Sequence, residues 1–278
     1  MDRELGKQYV LSLSYGKDSM ACLGAIAELG LPLDRIITVD VWATQDIPAD
    51  LPPMNDFKEY ADKIILEKYG IQVEHLCSMK NGKKWSYEDE FYLKRKTGQF
   101  TDKITGFPMI RGPWCNDRLK MRPIHALETE LKKAGNVIQY VGIAEDEPER
   151  LKRLDGISKI SPLHLIGWTE ADAKQWCNDN ALLSPIYTDT CTRGGCWFCH
   201  NAGIQEQREL RHNYPNLWNL LLKWDADSPV VWHADGHTVH DFDRRFALED
   251  AGLIPTDKRF RWKMLDESNH INSKIDNH

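Results

Sequence analysis

Two rhythms alternate along the first half of the chain. A short apolar run, Tyr9–Leu13, precedes "SMACLGAIAELG", where small and apolar residues return at helical spacing until Gly30. The pair then repeats. Arg35–Trp42 and Ile71–Cys77 read as strands, and "MNDFKEYADKIILEKYG" between them is an amphipathic helix stopped by Gly70. "RLKMRPIHALETELKKAG" carries a helix closing at Gly135, and Val137–Ala144 reads as a fourth strand. Apolar strands separated by helices predict a parallel sheet with helices on both faces, a Rossmann-like α/β fold. Ligands of such sheets sit beyond the carboxyl ends of the strands, at the switch in strand order.

The rhythm breaks twice. Residues 80–110 are polar, aromatic-rich and weakly periodic, and read as an insertion or lid in a nucleotide-binding domain spanning 1–160. From Ser161 a helix of about Thr169–Asn180 lies between proline-marked loops. The cysteine-rich "CTRGGCWFC" follows, then a helix near Gly203–Trp224 and a peripheral one in "HDFDRRFALEDAG". Residues 161–278 therefore read as a C-terminal region of cysteines and helices.

Composition narrows the function. The net charge of −6 does not support a broad basic surface for nucleic acid, although a local patch stays open. The sequence has no long apolar run and no signal peptide at its start, so a cytoplasmic protein that does not enter the membrane is expected. Thiols stay reduced there, and the seven cysteines read first as metal ligands or reactive groups. The ten tryptophans read mainly as core or cleft-lining residues.

The turn in "LSLSYGKDSM" holds the first candidate chemistry. Gly16 lets the backbone approach a phosphate, and the amides opening the next helix supply donors and positive dipole. Lys17 and the hydroxyls of Ser14 and Ser19 can add charge and hydrogen bonds, while Asp18 can cap the helix or hold magnesium. A plain strand-to-helix turn with a serine cap would use the same residues. Glu145, Asp146 and Glu147 follow the fourth strand, on the ligand side of such a sheet, where carboxylates can bind a phosphate-bridging magnesium. Lys120, Arg122, Arg150 and Arg153 can stabilise charge on a departing pyrophosphate or a sulfate. Solvated helix turns with i,i+4 pairs are the alternative.

Cys191, Cys196 and Cys199 form a tight cluster, with Gly194 and Gly195 permitting a metal knuckle. Four thiolates suit either zinc or a [4Fe-4S] cluster. His200 is a substitute ligand or merely flanks the site. Cys22, Cys77 and Cys177 read as core.

"SYGKDS" resembles the Ser-Gly-Gly-x-Asp-Ser loop of the N-type ATP pyrophosphatases, the PP-loop superfamily, with Tyr15 in place of the first glycine. The subgroup it most resembles is the phosphoadenylyl-sulfate (PAPS) reductase family. "WCNDRLKMRPI", "GIAEDEPERLKR" and "SPLHLIGWTEADAKQWCNDNALLSPIY" resemble further elements of that family, in order, over about residues 9–205. The resemblance implies an adenine-nucleotide α-hydrolase-like sheet. It implies that Ser14, Tyr15, Gly16, Lys17, Asp18 and Ser19, with Gly142 and Asp146, surround the phosphates of ATP and its magnesium. It also places Asp40 beside the nucleoside, gives Lys17, Asp18, Lys120 and Arg150 the catalytic roles, and makes Cys115 the fourth thiolate. Within the superfamily it favours [4Fe-4S] over zinc.

Two departures matter. Cys115 is followed by Asn116, where the cluster-bearing adenylyl-sulfate reductases have a second cysteine; Cys191 could replace it. No cysteine follows Cys199, whereas the family's sulfonucleotide reductases carry a nucleophilic one in their tail. The expected enzyme therefore adenylylates an acceptor with pyrophosphate release, and a cysteine-held metal centre serves sulfur transfer. The acceptor is not named by the sequence, nucleic acid being one candidate; a sulfur donor or thiol reductant is a further expected partner, and the oligomeric state stays open. The alternatives are a sulfonucleotide reductase, drawing a thiol from a partner, Cys177 or Cys77, and a non-catalytic nucleotide-binding regulator. Tyr15, Trp114, Trp197 and Phe198 would line the acceptor cleft or pack in the core.

Overall fold

The computed structural model describes residues 3–98, 101–108, 112–134, 136–187 and 194–266. Contacts divide the chain into two compact units, 1–90 with 113–196 and 91–112 with 197–278. This division differs from the one the sequence suggests. Part of the expected insertion falls in the second unit, and 161–196 belongs to the first.

The first unit is built on five parallel strands: β1 (Lys7–Ser12), β2 (Arg35–Asp40), β3 (Val73–Cys77), β6 (Asn136–Tyr140) and β7 (Lys159–Ile160), in the order β3-β2-β1-β6-β7. β4 (Met79–Lys80) and β5 (Lys83–Lys84) form a separate two-stranded hairpin, and the short α3 spans Tyr87–Phe91. The chain runs outward from β1 through β2 to β3, then returns to the other side of β1. The crevice between the ends of β1 and β6 is therefore the switch point.

Alternation of side chains across the strands covers both faces. Tyr9, Leu11, Ile36, Val73, Ile138 and Tyr140 pack with α1 (Lys17–Glu28), α2 (Pro52–Tyr69), α6 (Pro162–Ile166) and α7 (Glu170–Asp179). Val10 and Ile37 point the other way, onto Leu127 and Leu131 of α4 (Arg122–Ala134). α1 and α7 approach closely at Gly24, where a Cβ would lie 2.3 Å from the Trp176 ring. α7 opens with a capping box: Thr169 accepts from the Asp172 amide, and Asp172 accepts from the Thr169 amide.

β6 ends at Tyr140, short of the expected Ala144: the Val141 amide still donates to the β7 carbonyl of Ile160 at 3.0 Å, and 142–147 leaves the sheet. That loop is braced by the Ser161 hydroxyl donating to the Ile143 carbonyl at 2.6 Å and the Glu145 amide donating to the Trp168 carbonyl at 2.8 Å. The one-turn α5 (Pro148–Leu151) follows the loop. Before α4 the backbone takes a π-helical turn over Asn116–Met121. Gly135 lies outside the described residues.

In the second unit, α8 (Ile204–Asn213), α9 (Pro215–Asp227) and α10 (Val239–Asp250) replace the single helix expected near 203–224 and the one after it. Pro215 lacks an amide hydrogen and disfavours helical backbone in the residue before it, which ends α8. Trp197 stacks on Trp224 at 5.6 Å, and Phe198 meets the same ring edge-on. Both are buried, so they act as core within this unit. Among the described residues, no helix is long and apolar enough to cross a membrane.

Candidate functional site at the switch point

The turn between β1 and α1 is closed by its own hydroxyls. Tyr15 takes a left-handed backbone (φ 56°), which reverses the chain. The Ser19 hydroxyl donates to the Gly16 carbonyl and accepts from the Ser14 amide, both at 3.0 Å; the two serine hydroxyls also lie 3.0 Å apart. With its own proton spent on Gly16, Ser19 is the acceptor for Ser14. Both serine protons are thus used inside the loop, where sequence reasoning aims them at a phosphate.

Gly16 caps α1 with no side-chain hydrogen bond. The cap comes from far along the chain, where the Tyr187 hydroxyl accepts from the Lys17 amide at 2.9 Å. Gly142, just past β6, lies against the first turn of α1. A Cβ there would meet the Ser19 nitrogen at 2.5 Å and the Asp18 carbonyl carbon at 2.7 Å.

These elements surround a cavity of about 540 Å³, lined within the first unit by Ser14, Gly16, Lys17, Asp18 and Ser19. Gly142, Lys120 and Arg150 also line it. Tyr15 does not; it is fully buried, its hydroxyl donating to Asp62 at 2.6 Å.

Carboxylates of Asp18, Glu147 and Glu170 converge, each offering an oxygen within 4.8 Å of the others. The Lys17 ammonium bridges two of them, 2.8 Å from Asp18 and 3.0 Å from Glu170. Burial works against the Lys17 charge, but Asp18 and Glu170 outweigh it and raise its pKa. Burial also pushes the Asp18 carboxyl up, against the pull of Lys17. Arg150 pairs with Glu147 at 2.5 Å. Asp146, the acidic residue favoured by the sequence, instead accepts from the Glu170 amide at 2.9 Å and tethers the start of α7. Glu145 pairs with His164. Glu170 carried no signal in the sequence. It is the first residue of a capped helix, and its approach to Asp18 depends on α7 packing against α1.

Asp40 belongs to a charge network at the ends of β2 and β3. His75 bridges Asp40 (Nδ1, 2.7 Å) and Asp62 (Nε2, 2.9 Å), while Lys58 bridges Asp40 at 2.9 Å and Asp50 at 2.6 Å. Lys58 and Asp50 line the cavity. Burial raises the Asp40 carboxyl pKa, but His75 and Lys58 outweigh it and hold it below the usual range. Hydrogen bonds to Asp40 and then Asp62 push His75 up to about 9.

That raised value fixes the sign of a pH effect. The His75 contribution to stability is fully present below its ordinary 6.5 and is lost as pH rises through about 9. The stability gap between wild type and His75→Gln should therefore be widest in mild acid and close in alkali. Thermal unfolding across that range measures it; a gap that widens with pH would remove the imidazolium from the network.

Of the expected thiolates, Cys196 lines the cavity beside Gly194 and Gly195. Cys115 opens the π-helical turn, whose Asn116, Lys120 and Met121 also line it. Trp114, preceding Cys115, is buried, and its indole N–H has no hydrogen-bond partner among the described residues. Cys199 falls in the second unit, and Cys191 lies outside the described residues. Cys22 and Cys177 are buried as expected, and Cys77 is half-buried.

No family model matches the chain. A stretch of 104 residues, 37% of the chain, is 30% identical to an uncharacterised nin-region protein, ORF290, of Escherichia phage lambda. The match spans about a third (34%) of that protein's length. Among solved structures, the chain is similar to the U34-tRNA thiolase NcsA of Methanococcus maripaludis with its [4Fe-4S] cluster. Identity is 14% and the TM-score 0.37, over 92% of this chain and 77% of that one. Overlap at that level carries no functional argument.

Proposed function

We propose that the switch-point cavity binds ATP with magnesium and transfers its adenylyl group to an acceptor, releasing pyrophosphate. The observation that carries this reading is the meeting of the α1 N-terminus, Lys17, Lys120 and Arg150 with the Asp18–Glu147–Glu170 carboxylates in one cavity. Helix amides and cations attract polyphosphate. Three carboxylates at the same place repel it, and a hard divalent cation held by those carboxylates would offset the repulsion. Asp18, Glu147 and Glu170 are the residues that would hold magnesium. Lys120 and Arg150 would stabilise charge on the leaving pyrophosphate.

Cys115, Cys191, Cys196 and Cys199 are proposed to hold a [4Fe-4S] cluster, zinc being the other metal that four thiolates suit. The buried Trp114 N–H beside Cys115 in sequence fits a sulfur acceptor. When bound, such a cluster supplies a place for sulfur to be held or relayed to the activated acceptor.

The reductase alternative is less well supported. Burial pushes the Cys177 thiol up to about 12, and its Sγ donates to the Lys17 carbonyl at 3.3 Å. Burial also raises Cys77, so neither thiol is prepared as a nucleophile.

Equilibrium binding tests the central reading. ATP should bind at least about tenfold tighter with magnesium than with a chelator, since the cation must offset three carboxylates. Affinity indifferent to magnesium, or no ATP binding, would end it. Thioredoxin-dependent sulfite release from a sulfonucleotide would favour the reductase instead.

A further inference from the structure

We infer that Tyr187 contacts the substrate, its phenol hydroxyl donating a hydrogen bond to an anionic oxygen seated at the N-terminus of α1. The inference rests on the phosphate-binding reading of this cavity and adds a residue to it. The Tyr187 oxygen accepts from the Lys17 amide at 2.9 Å and would lie 3.1 Å from a Cβ on Gly16, so it sits directly on the turn. The ring lines the cavity.

The serine hydroxyls have spent their protons. Ser19 donates to the Gly16 carbonyl, and Ser14 donates to Ser19. The Tyr187 proton has no acceptor among the described residues, while its oxygen already holds a backbone donor. A phenol in that state passes the polarity of the helix terminus outward. The Lys17 N–H polarises the O–H, which then presents to the cavity a donor displaced from the helix end. Lys17, Lys120 and Arg150 line the same cavity and favour an anionic acceptor once a divalent cation offsets the Asp18, Glu147 and Glu170 carboxylates. Burial raises the phenol's pKa, which keeps the proton in place at neutral pH. A side chain at Gly16 would crowd the phenol oxygen, which would have to give by a few tenths of an ångström.

The test is titration of wild type and Tyr187→Phe with inorganic pyrophosphate and with ATP, magnesium present. Loss of a hydrogen bond to a charged group should weaken both ligands by about tenfold or more, with the circular dichroism spectrum unchanged. Unchanged affinity would overturn the inference. So would tighter binding, which would make the hydroxyl a competing cap that the ligand displaces. Wild type binding neither ligand would instead bring down the phosphate reading itself, and this inference with it.

Should Tyr187→Phe not fold, wild-type protein made with 3-fluorotyrosine gives an independent answer. Among the described residues no other tyrosine lines the cavity. Fluorination acidifies the phenol, so pyrophosphate binding should be lost at lower pH than in unlabelled protein. Coincident pH profiles would overturn the inference.

Discussion

Gly142→Ala is expected to lower ATP affinity by at least about a hundredfold while the protein keeps its native circular dichroism spectrum. The added methyl would lie 2.5 Å from the Ser19 nitrogen and 2.7 Å from both the Asp18 carbonyl carbon and the Ser19 Cα. All three contacts are backbone atoms in the first turn of a buried helix, so no side chain can swing aside. Relief requires the end of β6 and the start of α1 to separate. Overpacking of this kind costs about 1–3 kcal/mol, which a two-layered core can absorb. The site has less tolerance. The displaced amides are those proposed to face phosphate, and Asp18 would move away from Glu147, breaking the carboxylate set. A thermal-unfolding measurement beside the ATP titration separates the two effects. A folded Gly142→Ala protein with wild-type ATP affinity would remove the crevice between β1 and β6 from the reaction.

The parts of this site that were legible in the sequence are the local ones. A strand, a glycine turn and a helix occupy consecutive residues in 9–29, so the loop and its dipole follow from the chain order alone. Four of the five strands of the parallel sheet were visible because each is an apolar run next to a helical period. The two-residue β7 at the sheet edge is too short to show any period. Pairings across the fold were not legible. Asp40 was placed by resemblance, but His75 reaches it only through the pairing of β3 with β2, Lys58 reaches it from α2, and Asp62 joins the network through His75. Tyr187 reaches Lys17 across 170 positions. Asp146 and Glu147 are neighbours in the same acidic run, and no spacing rule separates their roles. The turn after β6 decides that Glu147 meets Asp18 and that Asp146 accepts from the Glu170 amide at the start of α7.

Anaerobically purified wild-type protein should carry about four irons and four acid-labile sulfides per chain, and Cys196→Ser or Cys115→Ser should carry almost none. The size of the effect follows from coordination chemistry. A serine hydroxyl is a harder and far less acidic donor than a thiol, so each substitution leaves one corner of the cluster without a soft anionic ligand. The two positions are chosen because both border the cavity elements: Cys196 lines the cavity itself, and Cys115 precedes the π-helical turn that brings Lys120 to it. Loss of the cluster should leave ATP affinity within a few-fold of wild type, since of the groups proposed to bind phosphate and magnesium only Lys120 lies near either substituted cysteine in the chain; the α1 N-terminus, Lys17, Arg150, Tyr187 and the three carboxylates lie on other segments. Stoichiometric zinc without sulfide would make the centre a zinc knuckle and remove the sulfur-relay role, leaving adenylyl transfer standing. Serine variants that retain full iron and sulfide would show that Cys115 and Cys196 are not ligands.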